Sequence, residues 1–204
     1  KKFPDSEITW ITKNESISII SGNQFIDKIY STPFFTEEKF DFLYNFDLDD
    51  EAMNLAKNTN ALKKYGFYLD HGFPTAFNSE ALYYLNTFFD DNLKKNNRRN
   101  YQEMIFEAAD IPYHREHCPI YLNKQDILFA NNFLKENRID EGKKSKLIGF
   151  HIGSSERWPS RSWPTEKIKD FIKESKKYGY EIVLFGGPNE TEKHKKIISD
   201  LNED

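Results

Sequence analysis

Two apolar runs near the carboxyl end limit what this chain can fold into more than any other feature. Leu147-Ile148-Gly149-Phe150-His151-Ile152 and Tyr180-Glu181-Ile182-Val183-Leu184-Phe185 are rich in branched and aromatic residues and read as strands. The first is nearly continuous in its apolar character, as expected for a buried strand. Each run ends in small residues, Gly153-Ser154-Ser155 after the first and Gly186-Gly187-Pro188 after the second. Each is then followed by a helical pattern. Trp163-Pro164-Thr165 opens a helix with Ile168, Phe171 and Ile172 on its apolar face and Gly179 where a C-terminal cap belongs. Ile197, Ile198 and Leu201 mark the second helix, and Asn189 with Glu192 three residues on comes close to a capping box at its start. Strand, loop, helix, strand, loop, helix is the signature of a parallel sheet covered by helices.

The first half repeats the alternation less regularly. Glu7 to Thr12, Ile26 to Tyr30, Phe40 to Phe46 and Tyr65 to Leu69 read as strands, with a short helix over Ser16 to Ile20 ended by Gly22. Asp47, Asp49 and Asp50 suit the start of a helix carrying Met53, Leu55 and Ala56. From Ser79 the pattern turns helical, with Leu82, Leu85 and Phe89 on one face and Tyr101, Ile105 and Ala108 on another. The aromatic cluster Tyr83, Tyr84, Phe88 and Phe89 is expected in the core. Lys94, Lys95, Arg98 and Arg99 read as a solvated helix end. Pro112 and Pro119 bracket a linker, and Ile127, Phe129, Ala130, Phe133 and Leu134 form a further amphipathic helix. The boundary is expected near residue 119, giving a first domain over 1–118 and a second over 119–204.

Composition narrows the classes of function. Lys and Arg total 29 against 33 Asp and Glu, so the net charge of -4 gives no pull toward nucleic acid. Aromatic residues make up 16% of the 204 residues, enough ring area for a real core. A single cysteine, Cys118, excludes an intrachain disulfide framework and suits a reducing compartment. No apolar run approaches the ~18 residues needed to span a membrane. His114-Arg115-Glu116-His117-Cys118 lacks a second ligand cluster at zinc-like spacing, so no metal site is expected there.

The chemistry concentrates where the two late strands end, because ligands of parallel α/β sheets bind at the carboxyl edge. Gly153 lets backbone approach a phosphate, Ser154 and Ser155 add hydroxyls, and Arg161 supplies a bidentate cation. Gly186 and Gly187 shape the second loop, and Glu190 at a helix start can accept hydrogen bonds from ribose hydroxyls. These pieces suit a nucleotide diphosphate. No Gly-x-Gly-x-x-Gly follows any strand and no Walker sequence is present, which argues against a nicotinamide dehydrogenase and a P-loop NTPase. His151, at a strand end, reads as structural, held by a neighbouring carbonyl or carboxylate.

His151-Ile152-Gly153-Ser154-Ser155, Arg161-Ser162-Trp163-Pro164 and Leu184-Phe185-Gly186-Gly187-Pro188-Asn189-Glu190, in that order and spacing, resemble glycosyltransferase family 9, the heptosyltransferase-like enzymes. Asp5 to Ile11 and Asn23 to Ile29 resemble that family's acceptor domain more weakly. The resemblance implies a GT-B architecture of two Rossmann-like domains, the carboxyl-terminal one holding a nucleotide-sugar. It implies metal-independent, cofactor-free transfer of a sugar such as heptose, often from an ADP-linked donor, to lipopolysaccharide core or a related glycan or lipid-linked acceptor. It places such a protein in the cytoplasm, at most touching the cytoplasmic face of the inner membrane. Carried over residue by residue, Ser154 and Ser155 meet the donor phosphates, Glu190 binds the ribose, and Arg161 stands where the family usually has lysine. Arginine keeps that charge but changes its reach and geometry. Ile152 replaces the usual proline.

The family's catalytic base is an aspartate after the first strand of the amino-terminal domain, which the resemblance puts upstream of residue 1. The sequence therefore reads as a fragment with both domains incomplete and no transfer activity alone. The contrasting expectation is a non-catalytic nucleotide-sugar or glycan binding protein.

Overall fold

The computed structural model describes residues 3–139, 146–154 and 159–202. The chain divides into two compact units, Lys1–Leu122 and Asn123–Asp204. The expected boundary after residue 118 lies in the extended segment that leads up to that division.

In the first unit β1 (Thr9–Thr12) pairs in parallel with β2 (Lys28–Ser31), joined through the short helix α1 (Ile17–Ile20). β3 (Lys39–Asn45) pairs in parallel with β4 (Asn60–Asp70), and α2 (Asp50–Asn58) makes the crossover. Asp49, among the three aspartates expected at that helix start, is the cap. Its carboxylate accepts from the Glu51 amide at 3.0 Å and from Lys13 Nζ at 3.0 Å, and the lysine chiefly, with that amide, holds it below the usual carboxylate range. The expected set of parallel strands is incomplete, because β5 (Phe73–Ala76) returns antiparallel on β4 with Asp70 opposite Phe73. His71 and Gly72, both at positive φ, make that tight turn.

α3 (Ser79–Asn86), α4 (Asp91–Asn96) and α5 (Tyr101–Ala108) follow, and α2, α3 and α5 supply the helical side of the core. Met53, Phe67, Ala81, Tyr84, Leu85, Met104 and Ala108 form it. The expected helical faces need correction here. Leu82 is 46% exposed and Phe89 71% exposed, while Ala81 and Tyr84 point inward with Leu85. Of the aromatic cluster only Tyr84 is buried, and burial raises its phenol pKa. Tyr101 is exposed and Met104 takes the inward position. The basic run behaves partly as expected. Lys94 and Lys95 lie in the last turn of α4, but Arg99 pairs with Glu107 at 3.0 Å and stacks over Tyr83 at 4.6 Å.

The second unit opens with α6 (Lys124–Glu136), which carries a full capping box between Asn123 and Asp126. It buries none of its residues, so the expected inward face of Ile127, Phe129 and Ala130 is exposed. β6 (Leu147–His151) and β7 (Glu181–Phe185) pair in parallel, Leu147 opposite Glu181 and His151 opposite Phe185. α7 (Thr165–Lys177) crosses between them and α8 (Thr191–Asn202) follows. Ile152, Ile168, Ile172 and Ile197 form a core of four isoleucines, and Ile198 is exposed. Gly179 closes α7 at φ +78°, with its amide on the Lys176 carbonyl and the Tyr180 amide on that of Ser175. Lys169 ties the two helices, 2.9 Å from Asp200 and 2.8 Å from Glu166, and those carboxylates raise its pKa.

So small a core makes each member count. Ile168 is fully buried at its centre, and Ile168→Ala should cost about 2–5 kcal/mol. Denaturant unfolding followed by far-UV circular dichroism checks this. Ile198→Ala, on the exposed side of α8, should change the midpoint little.

Candidate functional site

The candidate site is built from the carboxyl ends of β6 and β7. After His151 the chain leaves the sheet through Ile152, Gly153 and Ser154, and His151 Nδ1 lies 3.2 Å from the Gly153 carbonyl. A 3-10 turn, Pro159–Arg161, then leads into α7, with Pro164 at the capping position just before the helix. Ser155, the second of the two expected hydroxyl residues, and residues 156–158 lie outside the described residues.

After β7, Gly186 and Gly187 run into a second 3-10 turn, Pro188–Glu190, from which α8 continues. The helix-start box differs from the expected one. It joins Glu190 to Gly187, whose amide donates to Glu190 Oε2 at 2.7 Å, and Asn189 lies inside the turn. Both glycine loops lie against this glutamate. A β-carbon on Gly153 would sit 2.6 Å from Glu190 Cδ, and one on Gly186 would sit 2.8 Å from Glu190 Cβ. With no β-carbon at either position the Glu190 side chain can lie directly on both loops.

Gly153 also joins Arg161. A cavity of about 220 Å³ is lined by Phe150, His151, Ile152, Gly153, Arg161, Ser162 and Trp163. Thus Gly153, Gly186, Gly187 and Glu190 meet directly, and Gly153 and Arg161 share one wall. Ser154 is half-buried next to Gly153. Trp163 packs edge-on against Phe150 and Phe171, which fixes the wall beneath the turn.

A residue that sequence reasoning missed completes the arrangement. Lys193, in the first turn of α8, donates to the Ile152 carbonyl at 3.2 Å, Ser162 Oγ at 2.9 Å and the Trp163 carbonyl at 3.3 Å. Its signal was available only as spacing. It lies three residues after Glu190, on the same side of the helix start.

A larger cavity, about 430 Å³, lies in the first unit between Tyr65, Asn78, Glu80, Glu107, Asp110, Ile111 and Pro112. Its three carboxylates repel an anion, so size is a poor guide and charge favours the smaller cavity for a phosphate. Among the described residues no group of three or more His, Cys, Asp or Glu is placed to hold a metal ion. His114, His117 and Cys118 lie on the exposed segment between α5 and α6. No described helix is long and apolar enough to cross a membrane.

Parallel strands crossed by helices, with two glycine loops meeting at one sheet edge, define an α/β protein of the parallel-sheet kind. The fold matches the crystal structure of a family 9 glycosyl transferase from Veillonella parvula with a TM-score of 0.70 at 18% identity, over 97% of this chain and 58% of that one. Its class is therefore α/β of GT-B type. The chain belongs to glycosyltransferase family 9 (heptosyltransferase), whose profile matches residues 38–204. No curated protein matches it.

Proposed function

We propose that this chain serves sugar transfer from a nucleotide-diphosphate donor to a glycan or lipid-linked glycan acceptor, its second unit holding the donor. The observation that carries the reading is the placement of Gly153, seated against Glu190 and sharing a cavity with Arg161, in a member of family 9. That cavity is smaller than the ~300–1,000 Å³ typical of whole small-molecule sites, so it suits a diphosphate rather than an entire nucleotide sugar. Arg161 faces the diphosphate, with Ser154 and Ser155 as hydroxyl donors to it. Glu190 takes the ribose hydroxyls, and its tie to the Gly187 amide fixes the carboxylate in advance.

In the reaction an acceptor hydroxyl gives up its proton to a general base and attacks the anomeric carbon. The bond to the diphosphate oxygen breaks with inversion, without a metal, and Arg161 offsets the charge gathering on the leaving group. No residue of this chain is assigned as that base. An ADP-linked heptose and a lipopolysaccharide-core acceptor at the cytoplasmic face of the inner membrane are the substrates and place that the family suggests.

Calorimetric titration with ADP, UDP and GDP and their parent nucleosides tests the reading. One diphosphate should bind clearly more tightly than its nucleoside, and equal affinities throughout would overturn it. Glu190→Gln should remove most of the preference for the ribo over the 2′-deoxy diphosphate, a loss of about 1–3 kcal/mol. An unchanged preference would move the ribose elsewhere.

A further inference from the structure

We infer that Lys193 is a positioning residue for the phosphate side of this site, holding the turn that presents Arg161. An ammonium carries three donors and no acceptor. Lys193 uses all three on oxygens of this chain, the carbonyls of Ile152 and Trp163 and the hydroxyl of Ser162. Its protons are therefore committed to the frame. Ser162 Oγ also donates to the Ile152 carbonyl at 3.3 Å, so the end of β6, the entry to α7 and the start of α8 meet at one node.

The node lies next to the proposed ligand groups. Ser162 and Trp163 directly follow Arg161, Ile152 directly precedes Gly153, and Glu190 is one turn before Lys193. The start of α8 thus grips the first loop twice, through Glu190 against Gly153 and through Lys193 on Ile152 before the loop and on Ser162 and Trp163 just after Arg161. Freed from Lys193, the turn itself would be less ordered, and diphosphate binding would then carry the cost of ordering it. The ligand consequence rests on the donor-site reading; the ordering of the turn does not.

The test uses the whole polypeptide with Lys193→Met, Lys193→Arg and Ser162→Ala, and a thermal melt to confirm that each folds. Amide hydrogen exchange at residues 160–163 should speed up in Lys193→Met and, less, in Ser162→Ala, and Lys193→Arg should restore protection. Affinity for the tightest of ADP, UDP and GDP should fall about tenfold in Lys193→Met with nucleoside affinity unchanged. Combining Lys193→Met with Arg161→Ala should add little to the loss from Arg161→Ala alone. Unchanged exchange in Lys193→Met overturns the inference whatever the ligand does, and so do additive losses, which would make Lys193 an independent ligand contact. Faster exchange in a protein whose wild type shows no diphosphate preference supports the positioning role and instead sinks the donor-site reading.

Discussion

Gly66→Ala should abolish the folded first unit. Gly66 pairs with Asn45 across the parallel β3–β4 ladder at φ +93°, and an added β-carbon would lie 1.8 Å from the Asn45 carbonyl oxygen and 2.7 Å from its carbon. Both atoms are backbone, so no rotamer change relieves the overlap. The left-handed conformation alone costs an L side chain about 1–3 kcal/mol. Opening the ladder would also disturb Phe67, the next residue and the largest fully buried side chain, along with the Phe77 amide bonded to the Gly66 carbonyl. Gly72 supplies the control. It has φ +83° with nothing within 4 Å of its would-be β-carbon, so Gly72→Ala carries the backbone cost without the collision. Urea unfolding followed by circular dichroism should show a lost or strongly lowered transition for Gly66→Ala and a shift of about 1–3 kcal/mol for Gly72→Ala. Equal shifts would mean that the strands move apart without penalty.

That contrast shows where the sequence was readable. The runs ending at Ile152 and Phe185 announce themselves by their branched and aromatic residues, and the structure pairs them. The first is not the buried strand expected of it, since β6 is only half-buried to exposed and Phe185 beside it is 53% exposed. β5 was hidden because Phe73-Pro74-Thr75-Ala76 is short and includes a proline, which argues against a strand unless it lies at an edge. The polar stretch after Phe89 hid the start of α4, since Asp90 caps that helix with the same side chain that marks loops. Periodicity located α3 and α6 but not what covers them. Leu82 and Leu85 fit a helical face equally well, and only packing against Phe67 and Met104 selects Leu85 with Ala81 and Tyr84.

The site was legible to a similar depth. Small residues at two strand ends and a carboxylate after the second loop are local patterns, and they mark Gly153, Gly186, Gly187 and Glu190. That Glu190 lies against Gly153 is a contact across 37 positions, which no local pattern records. Lys193 is the sharper case, because a lysine in an α8 turn rich in Glu and Lys reads as solvent-facing. Its partners lie 30, 31 and 41 positions away.

Arg161→Ala should weaken diphosphate binding by about 10- to 100-fold while leaving nucleoside binding unchanged. A guanidinium facing two phosphates forms charge-assisted hydrogen bonds, each contributing about 1.5–3 kcal/mol. A nucleoside has no group that needs it. Arg161 is exposed on the turn before α7 and lines the cavity with Gly153, so truncating it leaves the isoleucine core intact, and the melting temperature should stay near that of the wild type. Arg161→Lys separates charge from shape. It restores steering toward an anion but replaces a planar fork with a point charge, so recovery should be partial and more sensitive to salt. Calorimetry of the three proteins at two ionic strengths reads all of this. Parallel losses of diphosphate and nucleoside affinity in Arg161→Ala would mean that the guanidinium shapes the pocket without meeting phosphate. Full recovery in Arg161→Lys would mean that its charge alone matters, and that the departure from the lysine usual in the family has no consequence for the donor.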